Sequence, residues 1–249
     1  MRAVTFLAAL GLAALSGGAE AGDVKVIATA AWPTVLKEIT PIFEAETGDH
    51  IVVQYGGPAD VSRRVSGGEA FDVVLSSAAA LKDFAARRLV LDAKALGVAH
   101  TVLVYPKGRP PLDASTPAAV ADIVRSAQRI AYTDPATGAS TGIFFTDIVK
   151  SQGLEGELAR KALIVPPAAG GLPVNEGKAD VGVALSCEVA ELHNVQAVRL
   201  APNDPRDTTA FAYGEAAQSS NPQGARKLMD FIASERMARV MGENGFSKE

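Results

Sequence analysis

Three runs decide the fold: Val24-Lys25-Val26-Ile27-Ala28, Ile51-Val52-Val53-Gln54-Tyr55 and Phe71-Asp72-Val73-Val74-Leu75. Each is short, rich in β-branched and aromatic residues, and closed by small or polar ones, which is how strands read. Between the first two, Thr29-Ala30-Ala31-Trp32-Pro33 turns the chain, and Pro33 suits the first turn of a helix. From 34 to 46 the apolar residues Val35, Leu36, Ile39, Ile42 and Phe43 recur at helical spacing, and Gly48 closes the helix. After the second run, Gly56-Gly57-Pro58-Ala59 is a tight loop, and Asp60 is the expected cap of a helix through Val61 and Val65. Ser76-Ser77 ends the third run before a helix expected over 79–88. Strand, helix, strand, helix, strand predicts an α/β protein with a mainly parallel sheet flanked by helices. Ligands of such sheets bind beyond the C-terminal strand ends. That rule gathers Ala31-Trp32, Gly57-Pro58 and Ser76 at one edge, with Ser76 placed inward ahead of Ser77 by strand alternation.

Downstream, Thr101-Val102-Leu103-Val104-Tyr105 reads as a strand, followed by a proline-rich linker over 107–117 and a helix over 118–126. Arg129-Ile130-Ala131-Tyr132 is a further strand. The loop Thr133-Asp134-Pro135-Ala136-Thr137-Gly138-Ala139-Ser140-Thr141-Gly142 then opens a helix marked by Ile143, Phe144 and Ile148. Free N–H groups at a helix start favour an anion, and Ser140 and Thr141 add hydroxyl donors. Simple capping by either residue accounts for the same pattern. A strand is expected over 161–165, a short helix over 173–176, and a buried strand over 179–185 that ends at Ser186 and Cys187. Another strand is expected over 197–200 and a single amphipathic helix over 225–238.

Composition excludes several functions. The net charge is −4 and aromatics make up 6%, so there is no basic, aromatic surface for nucleic acid. His50, His100 and His193 are far apart in sequence and from Cys187, so no metal-ligand spacing exists. Neither a phosphate loop, a nucleophile elbow nor a dinucleotide fingerprint occurs, and no cofactor is expected. At the N-terminus, Arg2, an apolar stretch over 3–15 and Ala19-Glu20-Ala21 form the three parts of a secretory signal, with cleavage expected before Gly22. The apolar stretch falls short of the ~20 residues that span a bilayer. No cysteine follows the signal, so a lipid anchor is not expected. The one cysteine, Cys187, reads as a small core residue. A freely diffusing periplasmic protein is the expectation.

The ordered set of these motifs resembles type II periplasmic binding proteins, in the molybdate-binding-like branch of ABC-importer solute receptors. The residues that carry the resemblance are Ala30-Ala31-Trp32 with its helix to Gly48, and Gly67-Gly68-Glu69-Ala70-Phe71-Asp72-Val73-Val74-Leu75-Ser76. Asp134-Pro135 with Ser140-Thr141-Gly142, Gly177-Lys178-Ala179-Asp180-Val181-Gly182, and Asp230-Phe231-Ile232-Ala233-Ser234 with Gly245-Phe246 complete it. The resemblance implies two lobes, 22–102 plus 202–249 and 103–201, that enclose a small anion. It also implies a monomer that serves a membrane permease. Molybdate binders carry side-chain donors where this chain has Ala31, Gly57-Pro58 and Leu185, so an organic acid is expected ahead of molybdate or tungstate. The loop before Ser140 is similar to a sub-branch that handles organic acids and includes aconitate isomerase, an enzyme on this scaffold. An isomerase needs a base near the reacting carbon and donors for the developing charge. His100, before the expected crossing strand, is the candidate base or carboxylate contact. Trp32 is a candidate cleft wall or core aromatic, and Ser186 a candidate cleft contact.

Overall fold

Strand β1 (Asp23–Thr29) pairs in parallel with β2 (His50–Gly56) on one side and β3 (Val73–Ser77) on the other, and helices α1 (Pro33–Thr47) and α2 (Pro58–Ser66) make the connections. This computed structural model describes residues 22–248, so the expected signal at 1–21 lies outside the described residues. Alternation along the strands sends side chains to two cores. Val24, Val26, Val73 and Leu75 pack against α1, whereas Ile27 and Val74 pack with Val61 and Val65 of α2. Helix α3 (Ala78–Ala86) adds Leu81 and Phe84 to the second core.

The next strand is far longer than the sequence suggests. β4 runs over Val90–Pro106, where only its apolar end had read as a strand. Its first part, to His100, pairs antiparallel with β9 (Thr208–Ala216), which also pairs with β3. Its second part, from Thr101, pairs with β7 (Val181–Leu185) and β8 (Val195–Arg199). One strand therefore belongs to two sheet regions, and the change of partner falls at His100-Thr101.

The second region repeats the parallel arrangement. β5 (Ile130–Thr133) lies between β6 (Ala162–Val165) and β7, parallel to both. Helices α4 (Pro117–Ser126), α5 (Ser140–Ser151) and α6 (Glu155–Lys161) cover one face, around Leu103, Ile130, Phe145 and Val183. The other face packs Val102, Val104 and Ala184 against Val174 of the short α7 (Leu172–Asn175). The structure is thus an α/β fold with parallel units β2-β1-β3 and β6-β5-β7, joined through antiparallel β9 and β4.

The helix expected over 225–238 is two helices, α8 (Pro222–Ile232) and α9 (Glu235–Glu243). Ser234 divides them: its Oγ donates to the Phe231 carbonyl and accepts from Met237 N–H, so it closes one helix and caps the next. Beyond α9 the tail bridges to β4, with Ser247 and Val98 exchanging backbone hydrogen bonds. Gly245 makes this possible. Its φ is +80°, and a Cβ there would strike the Ser186 carbonyl.

Candidate functional site

A cavity of about 330 Å³ opens where the strand ends of both regions meet. Thr29, Ala30 and Ala31 at the end of β1 form one wall, with Pro58 at the start of α2 and Ser77 to Ala79 at the start of α3. Facing them are Gly138 to Thr141 at the start of α5, Pro167-Ala168 after β6, and Leu185 at the end of β7 with Glu188 beyond it. Thr208 to Phe211 of β9 close it. The two walls touch. Pro167 packs on Gly57, the Gly138 turn lies against Pro58 and Ala59, and Ser140 Oγ bonds Thr209 Oγ1 at 2.7 Å.

Three helix starts, α2, α3 and α5, border the cavity; α2 enters it through Pro58, which has no N–H, so helix-start donors come from α3 and α5. The first N–H groups of a helix have no partner within it. At α3, Ser77 Oγ accepts from Ala80 N–H only. At α5 the N-cap is Ala139, which has no side chain able to cap. Gly142 lets that helix start press on the end of β5, because any Cβ there would collide with the Thr133 carbonyl. Thr29 adds a hydroxyl that is 5% exposed, and its Oγ1 has no hydrogen-bond partner among the described residues. A buried hydroxyl left without a partner is costly, and among the described residues Thr29 differs from the other such groups, Trp32 Nε1, Ser76 Oγ and Thr101 Oγ1, in lining the cavity. Ala168, also in the wall, holds φ +66°, a backbone state that a residue with a Cβ rarely adopts.

Among the described residues, Glu188 is the one charged side chain lining the cavity. It follows β7 in a turn of 3-10 helix over Ser186–Glu188, and its Oε2 accepts from Leu185 N–H at 2.9 Å. No cationic group lies beside it. Burial pushes its carboxyl up to about 7, and the single N–H bond offsets only part of that effect. Burial, and then the Glu188 charge, push the neighbouring Cys187 thiol well up as well; Cys187 packs in the core beside Trp32.

The residues expected at the site divide. Ala31, Pro58, Ser140 and Thr141 line the cavity, and Gly57 sits at its rim against Pro167. Trp32 is 0% exposed, stacked on Phe246 at 4.9 Å with the edge of Phe211 at 5.4 Å, and lies in the core behind the wall. Ser76 is 1% exposed and without a partner, and Ser77 takes the place in the wall, because the chain turns into α3 directly after it. Ser186 is turned away: its Oγ donates to the Gly245 carbonyl and accepts from His100 N–H. His100 is outside the lining as well. Thr208 gives its hydroxyl proton to Asp207, so His100 Nδ1 donates to Thr208 Oγ1 at 3.1 Å and Nε2 takes Ser247 Oγ at 3.3 Å. Glu188, Thr29, Thr208 and Thr209 are polar lining residues that the sequence alone did not point to. For Glu188 the available signal was an acidic residue three positions beyond an all-apolar strand.

Paired α/β units joined by crossing antiparallel strands, with a cavity between them, define the type II periplasmic binding protein fold. The chain belongs to the bacterial extracellular solute-binding protein family, whose model matches residues 24–247. It is similar to an aconitate isomerase of Pseudomonas sp, 25% identical over 218 residues that make up 84% of this chain and 82% of the relative. Among solved structures it is similar to the periplasmic molybdate-binding protein of Azotobacter vinelandii, with a TM-score of 0.76, 14% identity, and coverage of 91% of this chain and 99% of that one. PEB3 with L-phospholactate bound gives a TM-score of 0.65 at 16% identity, over 91% of this chain and all of PEB3, a protein of Campylobacter jejuni. No helix among the described residues is long and apolar enough to cross a membrane.

Proposed function

We propose that this protein is the solute receptor of an ABC-type importer, working as a monomer in the periplasm after export, and that it encloses a small organic anion. Residues 22–102 with 202–249 act as one lobe and 103–201 as the other, closing on the ligand by hinge motion at the crossing strands. The observation that carries the reading is the unpartnered hydroxyl of Thr29, sunk in the wall of a cavity on which three helix starts converge. Aligned backbone N–H groups and hydroxyls hold an anion without a cationic side chain.

An organic acid suits the cavity better than molybdate or tungstate. The space is in the range of small-molecule pockets, and its wall is built largely of alanine, proline, Leu185 and Phe211. Such a wall fits a carbon skeleton. Ala31, Pro58 and Leu185 offer no side-chain donor to a tetrahedral oxyanion. Thermal unfolding with a panel of carboxylates, molybdate and sulfate tests this. A bound acid at a hundredfold excess over its Kd adds ~2.7 kcal/mol of stability. Stabilisation by molybdate alone would overturn the organic-acid reading.

A second reading is an aconitate isomerase-like enzyme, supported by the relative of that name and by Glu188, a carboxyl tuned near neutrality inside the same cavity. It moves one proton between allylic carbons. Absorbance followed after mixing with cis- or trans-aconitate tests it, and a flat trace with folded protein removes it.

A further inference from the structure

We propose that Glu188 is the acid of the cleft, protonated in the complex and donating to a ligand carboxylate, so that above neutral pH the receptor takes up about one proton with each small carboxylic acid anion it binds. This rests on the anion-binding reading above and names the chemistry of its ligand. Three observations carry it. Glu188 lines the cavity, and only its Oε2 is used, by Leu185 N–H; Oε1 has no protein partner among the described residues. Among the described residues, no lysine, arginine or histidine lines the cavity to neutralise an ionised Glu188 beside an ionised ligand. The remaining wall supplies only neutral donors, among them the unpartnered Thr29 hydroxyl.

Two negative charges side by side in such a space repel, whereas a carboxylic acid facing a carboxylate makes one short, charge-assisted hydrogen bond. The acid–carboxylate pair also discriminates. An oxyanion already satisfied by N–H donors gains little from one more donor, while a ligand carboxylate with an oxygen left over gains a partner. Burial has already moved Glu188 to where it holds a proton near neutral pH.

The surrounding titratable groups do not take over this role. Cys187, next in the turn, is sunk in the core and held protonated by burial. His100 of β4 is committed to Thr208 and Ser247. Lys37 of α1 pairs with Glu191 at the surface. Asp207, before β9, is bound by Arg199 and Thr208.

The test uses the mature protein with trans-aconitate, cis-aconitate and molybdate as probes. Titration calorimetry at pH 8, in buffers of different ionisation enthalpy, reads the protons taken up directly. The expected result is about one proton per ligand molecule bound and a Kd that weakens close to tenfold per pH unit above 7. Glu188→Gln keeps a donor and removes the titration; its Kd for the same probe stays flat from pH 7 to 9. A carboxylate that binds wild-type protein with no proton uptake and a flat Kd overturns the role of Glu188 and leaves the receptor reading standing. Tight binding of molybdate alone removes the carboxylate class, and binding of no probe at any pH removes the anion-binding reading with it.

Discussion

Asp72 is a fully buried carboxyl and Glu188 a half-buried one that lines the cavity, and their surroundings are opposite. Asp72, at the far edge of the sheet from the cavity, is 0% exposed, and its oxygens accept from Lys25 N–H, Ser219 Oγ, Ser220 Oγ and Asn221 N–H. Burial would raise it, but those donors outweigh burial and hold it below the usual carboxylate range. Glu188 has one donor, and burial wins. Depth alone does not set the behaviour of a buried acid; the number of donors aimed at it does. The Asp72 corner is complete without any other molecule. The cleft is short of partners at Glu188 and at Thr29 alike.

The largest test of this contrast is Asp72→Ala, which strands several buried donors and should cost about 3–5 kcal/mol at pH 7 by denaturant unfolding. Because the folded state holds Asp72 low, its contribution is present at neutral pH and is lost as pH falls, so the difference from wild type should shrink in acid. A cost below about 1 kcal/mol would break the comparison. Glu188→Gln should act in the opposite sense. A raised carboxyl loses stability as pH climbs from its unfolded value through about 7, so the variant should match wild type in acid and exceed it by about 3 kcal/mol at pH 8. Equal stability at both pH values would mean that Glu188 is solvated like a surface acid. Thr29→Val, which deletes an unpartnered hydroxyl, should change stability by less than about 1 kcal/mol but weaken a bound carboxylate by about 5–10-fold in a calorimetric titration. Smallest of all, Ala168→Gly should relieve the left-handed backbone and raise stability by up to about 1 kcal/mol in thermal unfolding. No gain there would show that the wall carries no strain.

Much of this architecture was legible in the sequence, and the gaps have physical causes. The first three strands and their helices were readable because each strand is a short run rich in β-branched residues that ends in clear turn residues. β4 was readable only from Thr101 onward. Its earlier part, Asp92 to Leu96, is mostly exposed and lacks apolar alternation, and pairing with β9 makes it a strand. β9 itself, Thr-Thr-Ala-Phe-Ala-Tyr-Gly-Glu-Ala, is too rich in small residues to announce itself. Apolar spacing continues across Ser234, so two helices read as one. At the cavity, the residues that follow strand ends in the first half, such as Ala31 and Pro58, were placed by the parallel-sheet rule. Glu188 was missed because the reading stopped at the end of β7, and whether a carboxyl beyond a strand points inward depends on a turn that spacing does not reveal. His100 and Ser186 looked available because sequence cannot show that the tail at Gly245 and Ser247 engages both.

Trp32 has a use apart from packing. It is the sole tryptophan of the chain, sealed from water between Phe211 and Phe246, and one residue away from Ala31 in the cavity wall. Its emission should therefore come from a single, dry environment and be blue-shifted, without background from any second indole. Phe211 touches both this ring and the cavity. A change in the cleft thus has a direct optical path to an intrinsic fluorophore, and the protein can report its own occupancy without a label.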